Sequence, residues 1–262
     1  MIGIDLRGKS AIVTGAAKGI GRGVSEAFAA NGAAVTMVDL DGDALSKAAA
    51  SIKAAGGIAI GVRADVRSDG EVLAAVEAAV GHFGGVDILV NNAGVVRYGR
   101  VEEMSEADWD LQLDTNLKAH YLTMRHAIPK MRMRGGGAIV NLASVQAFAS
   151  QQAVAAYSAS KGAVVALTRT IALDHAVDGI RANCIAPGSI DTPMLRSNAD
   201  LFASGGDPAD LIASWGACHP IGRVGTPEDI ANLVVFLSSD LAAFITGTCV
   251  VIDGGLLAKL GV

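Results

Sequence analysis

The feature that most restricts the fold of this chain is a glycine-rich turn between a short strand and a helix near the amino terminus. Residues 10–14 form an apolar run typical of a buried strand, and the glycine-rich segment 15–21 follows directly. A helix is predicted over residues 23–31, and a second strand over residues 34–38 leads to Asp39. This order of elements within about 30 residues is the unit expected for dinucleotide binding.

The glycines of this turn would let the backbone approach a pyrophosphate, which the positive end of the following helix attracts. Their spacing is G-x-x-x-G-x-G and not the commoner G-x-G-x-x-G. The prediction of dinucleotide binding therefore depends also on the flanking strands and Asp39. The cofactor contacts predicted in the turn are Gly15, Lys18, Gly19, Ile20 and Gly21.

Asp39 bears on the choice between NAD and NADP. A carboxylate at the end of the second strand can accept hydrogen bonds from ribose hydroxyls and would repel a 2′-phosphate, which favours NAD. Lys18 is a signal in the other direction, because a cation beside the turn could meet such a phosphate. The sequence therefore favours NAD as the cofactor and leaves NADP possible.

Apolar runs and helical segments alternate along the whole chain. Strands are predicted at residues 10–14, 34–38, 58–62, 86–90, 138–143, 180–186 and 248–252, and helices at 23–31, 41–55, 71–83, 105–133, 155–176 and from Thr226 onward. This alternation predicts an α/β fold, a single Rossmann-type doubly wound sheet of seven parallel strands with helices on both faces. We expect one domain over residues 1–262, with a long, irregular substrate lid around residues 189–220.

Composition excludes several other classes of protein. The 262 residues are 51% hydrophobic and 18% charged with a net charge of −5, which fits one large α/β domain better than two small ones and gives no basic footprint for nucleic acid. Three cysteines without paired spacing and five histidines without ligand spacing predict reduced thiols and no metal site. Residues 1–10 show no apolar leader, and the uncharged segment 135–160 is too polar to span a membrane, so we expect a cytoplasmic protein.

Ser144, Tyr157 and Lys161 form a candidate proton-transfer site. Ser144 follows the predicted strand 138–143, where open parallel sheets bind their ligands. Tyr157 and Lys161 are four residues apart on a predicted helix and share one face. A nearby ammonium group would favour the phenolate and lower the phenol pKa. A tyrosine and a lysine at this spacing are more often a surface pair. Here the position of Ser144 at a strand end and the glycine-rich turn near the amino terminus favour a functional site.

Together these motifs resemble the short-chain dehydrogenase/reductase family across essentially the whole chain. The motifs that carry the resemblance are Thr14-Gly15-x-x-x-Gly19-x-Gly21, Asp65-Val66, Asn91-Asn92-Ala93-Gly94, Asn116, Ser144, Tyr157-x-x-x-Lys161, Pro187-Gly188 and Thr192. The resemblance implies that Tyr157 is the general acid/base, Ser144 bonds the reacting oxygen and Lys161 lowers the pKa of Tyr157 and holds the nicotinamide ribose. It implies that Asn116 binds a relay water. It also implies cofactor contacts from Asp65, Val66, Asn92, Ala93, Gly94, Pro187, Gly188, Ile190 and Thr192, and assembly into a homotetramer.

Substrate identity is less constrained by the sequence. Gln146, Gln151 and Gln152 would suit a sugar or polyol if they line the pocket, although glutamines near a helix start can equally face water. The lid supplies the apolar side chains Met194, Leu195, Leu201, Phe202 and Trp215. The expected function is NAD-dependent hydride transfer to or from a secondary alcohol or ketone, and Ser144, Gln146, Gln151 and Tyr157 are the candidate substrate contacts.

Three alternatives stay open at this point. One is an NADPH-dependent 3-oxoacyl-thioester reductase, against which Asp39 argues. Another is a catalytically silent nucleotide-binding regulator, against which the intact Ser144, Tyr157 and Lys161 argue. The last is a structural component of an oligomer, since the small residues Ala155, Ala159, Gly162, Ala163 and Ala166 would allow close helix packing or burial within one subunit.

Overall fold

The computed structural model describes residues 3–259 and contains a sheet of seven parallel strands. The strands are β1 (Ser10–Thr14), β2 (Ala34–Asp39), β3 (Ile58–Arg63), β4 (Ile88–Asn91), β5 (Gly137–Leu142), β6 (Ile180–Pro187) and β7 (Cys249–Ile252). Their order across the sheet is β3-β2-β1-β4-β5-β6-β7. Residues 1–2 and 260–262, which the single-domain prediction includes, lie outside the described residues.

Helices cover both faces of this sheet. They are α1 (Gly19–Ala30), α2 (Gly42–Ala54), α3 (Asp69–Phe83), α4 (Glu106–Leu113), α5 (Ala119–Met133), α6 (Ala155–His175), α7 (Pro193–Phe202), α8 (Pro208–Cys218) and α9 (Pro227–Ser238). Side chains alternate between the faces along each strand, so Val13 packs with α1 and α9 while its neighbour Ile12 packs with α3 and α5. The predicted doubly wound α/β fold is confirmed.

Apart from shifts of one or two residues at the ends of elements, three predicted segments differ from the structure. The helix predicted over residues 23–31 is α1, which begins four residues earlier at Gly19 and so includes part of the glycine turn. The helix predicted over residues 105–133 is divided into α4, a π-helical turn (Asp114–Lys118) and α5. The segment predicted as irregular, 189–220, contains α7 and α8, which begin at Thr192-Pro193 and Asp207-Pro208. In both helices the side chain before the proline accepts a hydrogen bond from the first turn, and proline suits the first helical position because it has no N–H to leave unpaired.

The strand order reverses between β1 and β4, which lie side by side although two strands separate them in the sequence. Crossovers to opposite faces open a crevice at the carboxyl ends of these two strands, and open α/β sheets bind ligands at such a point. The glycine turn follows β1, and Asn92 and Ala93 follow β4. The fold therefore brings together two of the motifs identified in the sequence.

Over residues 3–259, none of the helices has the length and apolar character needed to cross a bilayer. The same residues hold no group of three or more His, Cys, Asp or Glu side chains arranged for a metal ion. Cys184, Cys218 and Cys249 are free thiols.

Candidate active site

The glycine turn passes close to the chain that follows β4. Gly15 and Gly19 have φ angles of +62° and +54°, in the left-handed region that favours glycine. A Cβ atom at Gly15 would lie 2.9 Å from Cα of Ala93, and one at Gly21 would overlap the carbonyl oxygen of Gly15. The turn therefore accepts no side chain at either position, as expected where backbone must approach a ligand.

The first turn of α1 has free main-chain donors. Its cap residue, Lys18, makes no capping hydrogen bond with its side chain, and no acidic residue occupies the first turn. By contrast, Asp41, Ser105 and Thr226 cap the starts of α2, α4 and α9 with side-chain oxygens. Unpaired N–H groups at the positive end of a helix attract a pyrophosphate, so this end of the crevice fits a dinucleotide.

Asp39 and Lys18 lie at the same end of the crevice. One carboxylate oxygen of Asp39 accepts a hydrogen bond from the N–H of Ala17 at 3.0 Å, and the other accepts one from the N–H of Asp41 at 2.9 Å. The ammonium group of Lys18 forms an ion pair with Asp41 at 2.7 Å. The cation that could have met a 2′-phosphate is therefore already paired with a carboxylate.

Asn92 ties the turn to β4. Its side-chain amide donates to the carbonyl oxygens of Thr14 and Gly15 at 2.9 and 3.0 Å. The hydroxyl oxygen of Thr14 in turn accepts hydrogen bonds from the N–H groups of Asn92 and Ala93. These bonds fix the floor of the crevice, and Asn92, Ala93 and Gly94 line it.

Asp65 and Val66 do not line the described cleft. Asp65 forms an ion pair with Arg67, which holds the pKa of that carboxyl below its usual range. Val66 is buried in the core beside β2. Their predicted contact with the adenine stays a prediction.

Ser144, Tyr157 and Lys161 meet in the same cleft, beyond Gly94. Ser144 follows β5, and its hydroxyl oxygen accepts a hydrogen bond from the N–H of Gln146 at 3.2 Å. Lys161 is 3% exposed, donates to the carbonyl oxygen of Leu142 at 2.7 Å and lies 5.6 Å from the centre of the Tyr157 ring. The helix spacing thus places the two side chains together, as predicted.

Burial dominates the proton affinities of this group. It raises the pKa of the Tyr157 phenol, and a hydrogen bond with Ser144 acts in the opposite direction. It lowers the pKa of Lys161 to about 8. The sequence predicts that the ammonium group of Lys161 lowers the pKa of Tyr157, but in the structure desolvation raises that pKa. The phenol is therefore held in its protonated form.

Asn116 lies in the π-helical turn behind Gly94 and is fully buried. Its amide nitrogen donates to the carbonyl oxygen of Val95 and to the hydroxyl of Ser160, and its oxygen accepts from the N–H of Val95 at 2.8 Å. An amide has two donor and two acceptor sites, which leaves one lone pair on Oδ1. Asn116 does not line the cleft itself, and its predicted relay water stays a prediction.

The segment after β6 closes the far side of the cleft. Pro187, Gly188, Ile190 and Thr192 all line it. The buried imidazole of His219 packs against Gly188, where a Cβ atom would lie 2.6 Å from the ring carbon Cε1. This packing constrains the backbone at Gly188.

The cleft has a volume of about 730 Å³. Beyond Tyr157 its lining includes Gln146, Gln151 and Gln152, of which Gln151 and Gln152 are also exposed to solvent. Met194, Leu195, Phe202 and Trp215 of the predicted lid also line it, whereas Leu201 is exposed and does not. Ala153, at the rim, has a φ of +60°, a strained value for alanine that marks a tightly constrained segment.

Sequence reasoning missed several residues of the cleft, among them Val96, Tyr98, Asn198, Leu211 and Leu256. The Tyr98 ring meets that of Phe202 edge-on, with their centres 4.7 Å apart. A contact between residues so distant in the chain has no local sequence signal. The starts of α7 and α8 do have a local sequence signal, a capping residue followed by proline, in Thr192-Pro193 and Asp207-Pro208.

Comparison with known proteins agrees with this geometry. The family model described as enoyl-(acyl carrier protein) reductase matches residues 15–257. The cis-4-hydroxycyclohexanecarboxylate dehydrogenase of Sinomonas cyclohexanicum is 38% identical and covers 95% of this chain and 96% of its own.

Two solved structures are similar over nearly their full length. Ligand-free aldohexose dehydrogenase from Thermoplasma acidophilum is 37% identical, with a TM-score of 0.89 over 98% of this chain and 97% of its own. L-Sorbose reductase from Gluconobacter frateurii, complexed with NADPH and L-sorbose, is 36% identical, with a TM-score of 0.94 over 99% and 100%. The chain therefore belongs to the short-chain dehydrogenase/reductase family, whose fold binds a nicotinamide cofactor, and is an oxidoreductase that acts on CH–OH groups of small substrates.

Proposed function

We propose that this enzyme transfers hydride between NAD and the secondary hydroxyl or ketone of a sugar, a polyol or a related small alcohol, with Tyr157 as general acid/base. The observation that carries the proposal is the placement of Ser144, Tyr157 and Lys161 in one cleft with the glycine turn and Asp39. The relatives named above act, by their names, on hydroxyl- or carbonyl-bearing compounds.

The chain's own residues would handle the proton. Bound nicotinamide supplies the two-electron acceptor or donor, as the hydride carrier of the reaction. In alcohol oxidation the phenolate form of Tyr157 would take the proton of the substrate hydroxyl while the carbinol carbon gives up hydride. In ketone reduction the protonated phenol would donate its proton to the carbonyl oxygen. The raised pKa of Tyr157 favours the protonated form, which suits the reductive direction near neutral pH.

Ser144 and Lys161 would stabilise the charge that develops on the reacting oxygen. Preorganised donors in a water-poor site usually make the largest contribution to catalysis. Ser144 can donate its hydroxyl proton toward the cleft while its oxygen accepts from Gln146. Lys161 uses one of its three donors on Leu142, which leaves two for the cofactor ribose and a relay water near Asn116.

The preference for NAD rests on Asp39 and its surroundings. A carboxylate here accepts hydrogen bonds from ribose hydroxyls and repels a 2′-phosphate. The ion pair of Lys18 with Asp41 supports this choice, because it gives the cation of the turn a carboxylate partner.

We further propose a cytoplasmic homotetramer. Along α6, Ala159 and Ala166 are exposed and Gly162 and Ala163 are only half-buried, so this strip of small residues is not covered within the described chain. It would allow close packing against another subunit, and light scattering should then report four subunits.

Nicotinamide absorbance during turnover tests the proposal. NAD and NADP are each offered with sugars, polyols and simple secondary alcohols, and the reduced cofactors with 3-oxoacyl thioesters. We expect NAD-dependent oxidation of a sugar, polyol or related alcohol. Preference for NADPH with oxoacyl thioesters would favour the reductase alternative, and tight NADH binding without any turnover would favour a silent regulator.

A further inference from the structure

The part of the cleft beyond Tyr157 has two walls of different chemistry. The loop from β5 to α6 supplies the amide side chains Gln146, Gln151 and Gln152. The helices α7 and α8, with the segment after β4, supply mainly hydrocarbon and aromatic surface. We refer to these as the amide wall and the apolar wall.

The amide wall is oriented by its own hydrogen bonding. The main-chain N–H of Gln151 donates to the side-chain oxygen of Gln146 at 2.9 Å. This bond sets the orientation of the Gln146 side-chain amide and leaves its NH₂ group free to donate a hydrogen bond. Amide groups donate and accept hydrogen bonds but have no charge, so this wall can recognise hydroxyl or carbonyl groups without neutralising an ion.

The apolar wall is built around an aromatic contact. Tyr98, after β4, meets Phe202, at the end of α7, with their ring planes at 89°. Leu211 and Trp215 of α8 continue this surface. Burial raises the pKa of Tyr98, so its phenol stays neutral. A hydrocarbon face of a substrate gains stabilisation here by leaving water.

The cations close to these walls are already paired with carboxylates. Arg97 lies 3.7 Å from Asp108. Arg100 pairs with Glu102 at 2.7 Å, outside the lining of the cleft. On the other side, Arg196 of α7 forms an ion pair with Asp191 through two hydrogen bonds of 2.9 Å each.

Lys161 is the cation nearest to the reacting position, and its place is beneath Tyr157. It is buried and donates to the carbonyl oxygen of Leu142, so it serves the reacting oxygen and not a remote group of the substrate. Of the residues that the structure describes around the substrate half, the lining is therefore amide, hydroxyl and hydrocarbon.

We propose that the substrate is an uncharged alcohol or ketone with one polar and one apolar face. Its additional oxygens contact the amide wall, and its hydrocarbon face contacts the apolar wall. The proposal rests on the proposed function and adds the substrate's charge and orientation to it. It separates this enzyme from relatives whose named substrates carry a carboxylate. An anionic group in this half of the cleft would lose part of its hydration and gain only neutral amide donors, with no unpaired cation to neutralise it.

Matched substrate pairs that differ at one group, neutral in one member and a carboxylate in the other, test the proposal. The first pair is cis-4-methylcyclohexanol and cis-4-hydroxycyclohexanecarboxylate, and the second is an aldohexose and the hexuronate of the same stereochemistry. We expect kcat/KM for the neutral member of the productive pair to be about tenfold higher or more, the scale of partly desolvating a polar group without a charged partner. Equal or better use of the acid would overturn the proposal.

A charge-reversal design strengthens the test. Gln152→Arg should place a cation at the amide wall and raise kcat/KM for the acid by up to about fivefold, the scale of one exposed ion pair. Gln152→Met, which is close to glutamine in length and adds no cation, is the matched control and should not gain this activity. A failure of Gln152→Arg to favour the acid over the neutral member, relative to the control, would contradict the proposal.

Binding distinguishes failure of this proposal from failure of the proposed function. If no alcohol is oxidised, calorimetry measures the same pairs against the protein saturated with NADH. Tighter binding of the neutral member would support the proposal even though the proposed reaction had failed. Tighter binding of the acid, or no binding of either member, would overturn it.

Discussion

His120 offers a test of how strongly the interior beside the active site resists charge. It lies on the first turn of α5, is 1% exposed, and its Nε2 atom has no hydrogen-bond partner in the described structure. Burial, and next the ammonium group of Lys161, lower the pKa of His120 from 6.5 to about 3. The ring therefore stays neutral in the folded protein throughout the usual pH range.

The pH dependence of stability follows from this shift. Between pH 3 and 6.5 the unfolded chain binds a proton at His120 that the folded protein does not bind, so stability falls as pH falls. At pH 5, protonation of His120 in the unfolded chain lowers the free energy of unfolding by 1.5 pH units times 1.36 kcal/mol, or about 2 kcal/mol. Above pH 6.5 this contribution disappears.

His120→Leu removes the titrating group. We expect the free energy of unfolding of the wild-type protein, minus that of the variant, to fall by about 2 kcal/mol between pH 7.5 and pH 5. Any constant packing effect of the substitution cancels in this comparison. Urea unfolding followed by tryptophan fluorescence, at one protein concentration, measures it. A difference that does not change with pH would refute the assignment of a neutral, desolvated His120.

Three further predictions concern the cofactor turn and the buried lysine. Gly21→Ala should weaken binding of the dinucleotide at least tenfold, because the added methyl group overlaps the Gly15 carbonyl. The control Gly81→Ala, where the added methyl group enters open space, should leave binding unchanged. Fluorescence titration with NADH measures both affinities. Asp39→Ser should shift the ratio of kcat/KM for NADP over NAD upward by about 10- to 100-fold through loss of like-charge repulsion, and an unchanged ratio would contradict the role of this carboxylate. Lys161→Met should remove a pH-dependent contribution to stability. Because the folded pKa of about 8 lies below the unfolded 10.5, wild-type stability should rise with pH over that window by about 3 kcal/mol relative to the variant. Unfolding curves at pH 8 and 10 that show no divergence would contradict this.

The sheet could be predicted from the sequence because its signals are local. Each buried strand is a short apolar run, and the predicted strand over residues 10–14 matches β1. The predicted sites at Ser144, Tyr157 and Lys161 came together for the same reason, since a strand end and an i, i+4 helix spacing are short-range patterns.

The elements that could not be predicted depend on longer-range or subtler interactions. The π-helical turn around Asn116 adds one residue to a helical turn, and nothing in the local pattern marks that change. The Tyr98–Phe202 contact joins residues about a hundred positions apart. The pKa of Tyr157 was expected to be lowered by Lys161, but burial, which only the folded structure reveals, raises it.

The measurement that tests the central claim most directly is the turnover of Tyr157→Phe beside its affinity for NADH. The substitution removes one hydroxyl and keeps the ring that lies over Lys161. The account predicts that kcat falls by about a thousandfold, as expected for loss of a general acid/base, while the Kd for NADH stays within about threefold. Turnover close to that of the wild-type enzyme, or loss of NADH binding, would contradict the role of Tyr157 as the proton-transfer residue.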